Sequence, residues 1–155
     1  MADKETVRRE DLIGLVERSE LISILAQEVS AVRHSAESPS MATISLGAEM
    51  SPGERCVDYK FTLASKMKAS DDTVVADINV AVVARFNVLG DEQMANEAVL
   101  SAFANEVASM AAYPYLRQYT YDLAARIGLP NFTLGLLKRP GGNQVAASLD
   151  VILGM

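Results

Sequence analysis

Few side chains in this sequence could do chemistry. It has one histidine, His34, and one cysteine, Cys56. His34 stands beside Ser35 and Glu37, where a general base is conceivable. A solvated loop histidine accounts for the same residues more simply. Cys56 opens an alternating stretch on its polar side. It becomes a nucleophile only if its pKa is lowered, and Arg55 alone is thin support for that. Asp71 and Asp72 are adjacent carboxylates, but Ser70-Asp71-Asp72 has the composition of a turn. No His, Cys and carboxylate spacing suggests a metal site. Gly141-Gly142 lacks the Lys-Ser/Thr of a phosphate loop. Catalysis is therefore poorly supported: no catalytic residue, metal ligand or cofactor is nominated.

Surface remains as the source of function. Residues 113–140 read YPYLRQYTYDLAARIGLPNFTLGLLKRP and hold four of the five tyrosines. A tyrosine offers a large apolar ring with a polar tip, suited to tolerant contacts. Tyr113, Tyr115, Tyr119 and Tyr121 either pack against the rest of the fold or line an open groove. The segment reads as a helix that stops sharply. Asp122 precedes Arg126 by one turn, the favourable order for an ion pair. Gly128 follows the last apolar helical position, Ile127, and Pro130 comes soon after. Leu129, Phe132, Leu134 and Leu136 then make one side of an extended segment apolar. They close over inward residues such as Tyr59, Phe61 and Phe86, or they wall a peptide-sized cleft. The candidate binding residues are Tyr113, Tyr115, Tyr119, Leu129, Pro130, Phe132, Leu134 and Leu136.

The elements that must position them can be read in order. Residues 1–8 suggest a frayed terminus. Residues 10–18 suit a short helix with Leu12, Ile13, Leu15 and Val16 on one face. Residues 21–33 are apolar at alternate positions on both sides, through Leu21, Ile22, Ile24 and Leu25. We read a strand that is buried on both faces or pairs with another subunit. Residues 41–50, 55–69 and 73–88 alternate more cleanly. Val57, Tyr59, Phe61, Leu63 and Met67 face inward, as do Val74, Ile78, Val80, Val82 and Phe86. Asp58, Lys60, Lys66, Lys68, Asp77 and Arg85 face out as a mixed, solvated surface. Asp91 is a good N-cap for a helix carrying Leu100, Phe103, Val107 and Met110. Pro114 should end that helix near Ala112 and start another. Residues 144–155 suit a weak terminal helix or a segment that orders on binding. The fold class is α+β: a four-stranded antiparallel sheet packed against a long C-terminal helix, with a short N-terminal helix. One domain spans residues 1–155, with 1–8 and 141–155 as candidate flexible ends.

Composition narrows the function class. At 155 residues one domain with its own core is expected. Half of the residues are hydrophobic and mean hydropathy is +0.14, so surplus apolar surface is available for an interface. A net charge of −6 gives no basic field for a phosphate backbone, which argues against nucleic acid. One cysteine allows no internal disulfide and fits a reducing compartment. The charged start has no apolar core behind it, and no apolar run approaches the roughly 20 residues of a membrane span. The expected location is the cytoplasm, without membrane insertion.

Tyr113-Pro114-Tyr115 opening a helix, then Arg117, then Leu129-Pro130-Asn131-Phe132-Thr133-Leu134, resembles the C-terminal half of the SecB family. The wording is most similar to the SecB-like chaperones of actinobacteria, some of which accompany toxin–antitoxin pairs. The resemblance implies ATP-independent holding of unfolded proteins and preproteins in aromatic and aliphatic grooves. It also implies a homotetramer, a dimer of dimers. First strands would join across one interface, bringing in Leu21, Ile22, Ile24 and Leu25. Long helices would pack across the other, with Phe103 and Val107. By similarity, Pro130, Phe132 and Leu134 belong to a helix-connecting loop that contributes to the client groove. The family's closing helix follows that loop directly, whereas residues 138–143 intervene here. The family's acidic docking positions for the translocase motor find no motif-level match. Three functions follow: a general holdase serving unfolded proteins or preproteins for export, a chaperone dedicated to one partner such as an antitoxin, and a small α+β pocket enzyme. The last requires an enclosed pocket with a perturbed carboxylate.

Overall fold

Alternation in the middle of the chain builds the sheet, as the computed structural model shows for residues 8–90, 95–129 and 147–152. Strands β1 (Ser19–Arg33), β2 (Met41–Pro52), β3 (Cys56–Lys68) and β4 (Val74–Val88) follow one another in the chain. A fifth, β5 (Ala147–Ile152), joins them, in the order β1-β4-β3-β2-β5. Every pairing is antiparallel. The terminal helix expected over 144–155 is thus corrected where the structure describes it. Ala147, Leu149 and Val151 alternate with Ser148 and Asp150, and this period of two, with β-branched Val151 and Ile152, suits a strand.

The inward rows are largely those expected. Val57, Tyr59, Phe61, Leu63 and Met67 of β3 are buried, with Ile78, Val80, Val82 and Phe86 of β4. Val74 is only half-buried. A register irregularity between Met67 and Lys68 lies opposite it, and Val75 is buried instead. The turn from β3 to β4 is the expected one. Asp72 takes a φ of +66° there, and Asp71 Oδ1 accepts from the Thr73 N–H at 3.2 Å. Those hydrogen bonds hold the Asp71 carboxyl below its ordinary pKa, so its shift belongs to the turn.

The long helix covers the sheet. Helix α2 (Glu97–Phe103) begins at Asn96, whose Oδ1 accepts from the Val99 N–H at 2.9 Å. Asp91, the expected cap, lies outside the described residues. A π-helical turn, Ala104–Ala108, leads without a break into α3 (Ser109–Arg126). Pro114 does not end the helix. Proline here leaves the Met110 carbonyl without its helical partner. Met110 and Pro114 both lie on the exposed side, where water can replace the lost bond. The buried row Ala104, Ala108, Ala112, Leu116, Thr120 and Ala124 runs past Pro114 on the other side. In an α-helix, positions four apart drift by about 40° per step. The wider π turn offsets part of that drift and keeps the small residues against the sheet. Alanine at these positions allows close approach to β4, β1 and β3.

Helix α1 (Arg9–Glu17) packs on α2 through Leu12 and Leu15, which are buried. Ile13 and Val16, expected on the same face, are exposed. The centre of the core is aromatic. Tyr59 stacks on Phe103 at 5.7 Å between ring centroids, and Phe86 meets Phe103 edge-on at 4.9 Å. Tyr59 donates its hydroxyl hydrogen to the Leu100 carbonyl at 2.9 Å.

Candidate functional site

The helix stop is built as its sequence suggested. Gly128 has a φ of +83°, a conformation glycine reaches without a Cβ penalty. Its N–H donates to the Ala125 carbonyl, and the Leu129 N–H donates to the Ala124 carbonyl at 2.7 Å. This is the two-bond arrangement that closes many helix C-termini. Arg33, at the end of β1, reaches the same point. Its Nη1 donates to the Ile127 carbonyl at 2.8 Å, and its other nitrogens donate to the Ser35 and Glu37 carbonyls. One guanidinium therefore ties the sheet edge, the β1–β2 connection and the helix end together. Charge-assisted bonds of this kind also favour the negative end of the helix dipole. Asp122 takes a hydrogen bond from Gln118 Nε2 at 3.1 Å, one turn before it, where the sequence pointed to Arg126.

The tyrosines divide. Tyr113 and Tyr119 are half-buried against the core, and burial raises the Tyr113 phenol pKa despite the lowering effect of Arg117. Tyr115 and Tyr121 are 45% and 43% exposed. Met110, Pro114 and Tyr121 recur at helical spacing along the solvent side of the helix, with Tyr115 beside them. Leu129 is buried, as part of the helix stop. Pro130, Phe132, Leu134 and Leu136 lie outside the described residues.

The sheet edge supplies the second apolar surface. Leu21, Ile22, Leu25, Val29 and Val32 of β1 are exposed, Leu25 to 65%. Leu21 stands opposite Phe86 and Val29 opposite Val80, in the core-facing row. Leu25 stands opposite Val83 and Val32 opposite Asp77, in the outer row. Ile24 is half-buried against the core. The strand is thus apolar on both faces, and among the described residues its outer edge carries no neighbour in the sheet. Phe103, named among the interface candidates, is 1% exposed in the single chain, where Tyr59 and Phe86 cover it. Val107 is half-buried against the core.

The outer face of β3 and β4 is mainly polar and self-paired. Arg85 grips Asp58 with two bonds, Nε to Oδ1 at 2.7 Å and Nη2 to Oδ2 at 2.8 Å. The Arg85 hydrogen bond holds the Asp58 carboxyl below its ordinary pKa. His34 Nε2 lies 2.8 Å from Asp77 Oδ2, with both side chains partly exposed. Cys56 is a free, partly buried thiol. A shallow depression of about 220 Å³ crosses this face, floored by small residues such as Gly47, Thr62, Ala64 and Ala81, with Glu28 among its lining residues. Neither Asp58 nor Asp71, the carboxylates with shifted pKa, lines it. Among the described residues no three His, Cys, Asp or Glu side chains could hold a metal ion together, and no helix is long and apolar enough to cross a membrane.

Residue-level reading missed Arg33, Val29, Val32 and the exposed Met110. An arginine in the core-facing row, opposite Ala76 rather than an acid, was the available signal for the first. Val29 and Val32 continue the apolar character of β1 and needed only the strand's full length.

No protein-family model matches the chain. The SecB-like chaperone Rv1957 of Mycobacterium tuberculosis is 37% identical over 71 residues, which are 46% of this chain and 39% of that protein. The SecB-like chaperone MT2006, from another strain of the species, matches with the same figures. The match therefore spans about two fifths of the length of these curated relatives. A solved structure, the M. tuberculosis Rv1957 SecB-like chaperone in complex with a ChAD peptide from the Rv1956 HigA1 antitoxin, superposes with a TM-score of 0.76 at 22% identity. That superposition covers 85% of this chain and 99% of the other. The chain is thus similar in sequence to SecB-like chaperones and has the fold of one.

Proposed function

We propose that this chain is an ATP-independent holdase that binds exposed apolar segments of non-native proteins, preproteins bound for export among them. The observation that carries this reading is exposed apolar surface on the solvent side of α3, Tyr115 and Tyr121 among it, in a chain whose relatives are SecB-like chaperones. The mechanism is mass action. Apolar client segments bury themselves against aromatic and aliphatic side chains, and the unfolded state is withdrawn from aggregation. Binding is the activity, and no catalytic step or cofactor takes part. Tyr115 and Tyr121 supply rings with polar tips, and Pro130, Phe132, Leu134 and Leu136 belong to the same client-binding surface. The whole chain acts as one cytoplasmic domain. Copies of it join by their β1 edges through Leu21, Ile22 and Leu25, and the dimers pair again through the long helices near Val107.

The test is dilution of a urea-unfolded model substrate without ATP, followed by light scattering. The expected outcome is suppressed aggregation at near-stoichiometric ratio. Phe132→Asp with Leu134→Asp should abolish that protection while circular dichroism stays unchanged; full protection by this variant would remove the loop from the site. Size-exclusion with light scattering should give a tetramer, and a stable monomer would remove the assembly.

A second reading is a chaperone dedicated to one partner, such as an antitoxin. It is favoured by the solved neighbour, whose bound peptide comes from an antitoxin. The two readings differ in client range. A folded tetramer that ignores generic unfolded substrates yet holds one partner's apolar tail would favour the dedicated role.

A further inference from the structure

We propose that the outer edge of β2 is a strand-addition site, where the chain's own β5 is a resident that an extended, alternately apolar segment of a non-native protein replaces. The non-native partner rests on the function proposed above; the strand-accepting edge rests on the sheet itself.

The two ends of the sheet are built differently. β1 pairs with β4 through two register irregularities, between Leu21 and Ser23 and between Ala26 and Glu28. Bulges of this kind bend a strand and disturb its ladder. β2 runs in unbroken register with β3 from Met41 to Pro52, and with β5 from Met41 to Leu46. A regular, unbulged edge presents evenly placed N–H and C=O groups and is a template for another strand.

The described part of the resident covers half of that template. β5 lies along Met41–Leu46, and among the described residues Gly47 to Pro52 have a strand partner on the β3 side alone. On the core-facing row, Ala42 and Ile44 are buried beside β5, while Leu46, Ala48 and Met50 are half-buried. The apolar row therefore continues past the described pairing with β5. The register puts Ala147, Leu149 and Val151 opposite Leu46, Ile44 and Ala42. A ligand for this edge is thus an extended backbone with apolar residues at every second position. Main-chain bonds would supply affinity and alternate side chains the preference, which tolerates many sequences. The neighbouring outer-row positions Met41, Thr43 and Ser45 are uncharged, so they set no charge requirement. Among the described residues β5 has a single neighbour in the sheet, the situation in which a strand separates most easily.

The experiment pins and frees β5 in the full chain. Ser45→Cys and Ser148→Cys, on a Cys56→Ser background, place a disulfide between directly opposed positions. The reduced form of the same protein is the control for folding. Leu149→Pro with Asp150→Pro frees the strand by removing backbone donors. The probe is a fluorescein-labelled peptide of residues 145–154. A resident docked nine times in ten lowers apparent affinity about tenfold, so the proline variant should bind the peptide about tenfold more tightly than the unaltered chain. The oxidised double cysteine should bind it at least about tenfold more weakly than its reduced form. Equal binding in both redox states, with β5 confirmed as cross-linked, overturns the proposal. The unfolded-substrate assay separates the two ideas. Redox-dependent peptide binding without protection of substrate in any form leaves the edge standing and removes the holdase. Protection that ignores the cross-link, together with redox-independent peptide binding, leaves the holdase standing and removes the edge.

Discussion

Tyr59 and Tyr115 are the same side chain put to opposite uses. Tyr59 is fully buried, stacked on Phe103, with its hydroxyl hydrogen donated to the Leu100 carbonyl. Tyr115 sits on α3 with nearly half its surface in water. The difference is positional. In β3, Tyr59 falls in the row that faces the helix. In α3, the row Ala112, Leu116, Thr120 and Ala124 takes the sheet-facing side and leaves Tyr115 outside. The chain thus contains one aromatic group that holds the fold and another that the fold presents. The first tolerates almost no change of shape. The second can lose its rings without unfolding anything.

The largest effect should come from the buried group. Phe103→Ala removes the ring that contacts both Tyr59 and Phe86, and truncation of a buried phenylalanine costs about 3–5 kcal/mol. Urea unfolding should show the loss as a lower midpoint with little change in slope. A loss below about 1 kcal/mol would mean that Phe103 is not packed as described, and would reopen its place in a subunit interface.

Tyr59→Phe should cost less, about 0.5–1.5 kcal/mol, because it removes one hydrogen bond while the Leu100 carbonyl keeps its helical partner, the Ala104 N–H. It also has a pH signature. Burial raises the Tyr59 phenol pKa well above its ordinary value near 10. Below that pH, folded and unfolded chains both carry a neutral phenol. As pH rises past it, the unfolded phenol ionises while the folded one keeps its proton, so stability falls. The Phe variant should show a shallower decline above pH ~10. Identical alkaline profiles for the two proteins would rule out Tyr59 as the source.

Much of this arrangement was legible from residue order. Period-two alternation located four strands, because Val57, Tyr59, Phe61 and Leu63 face one way wherever the sheet lies. Gly128 marked the helix stop because a positive φ has few other candidates. The misreadings share a cause. Pro114 looked like a helix end because its local cost is large, yet a buried row on the opposite side carries the helix through. Phe103 is 1% exposed, and helical spacing alone does not say which face meets the sheet. Arg33 was passed over because its partners are backbone carbonyls, two from nearby residues and one from the helix end, and carbonyls have no sequence signature. Local geometry was readable; the choice among faces belonged to tertiary packing.

The smallest effect on stability should come from the presented group, and it is the sharper half of the comparison. Tyr115→Ser with Tyr121→Ser alters two exposed positions that sit outside the buried row of α3. Each surface change should stay within about 0.5 kcal/mol, so unfolding should be nearly unchanged. If the outer side of the helix holds clients, removing two rings takes away apolar contact area, and protection of an unfolded substrate should weaken at equal protein concentration. Light scattering during dilution, run beside the urea curve, reads both quantities in one preparation. Unchanged stability with weakened protection would assign the exposed tyrosines to binding. Unchanged stability with unchanged protection would take the helix out of the client surface and leave that role to the β2 edge and residues 130–136. A large loss of stability would show that the two rings are buried in the assembled protein, as they would be if the helices of neighbouring copies met along this side.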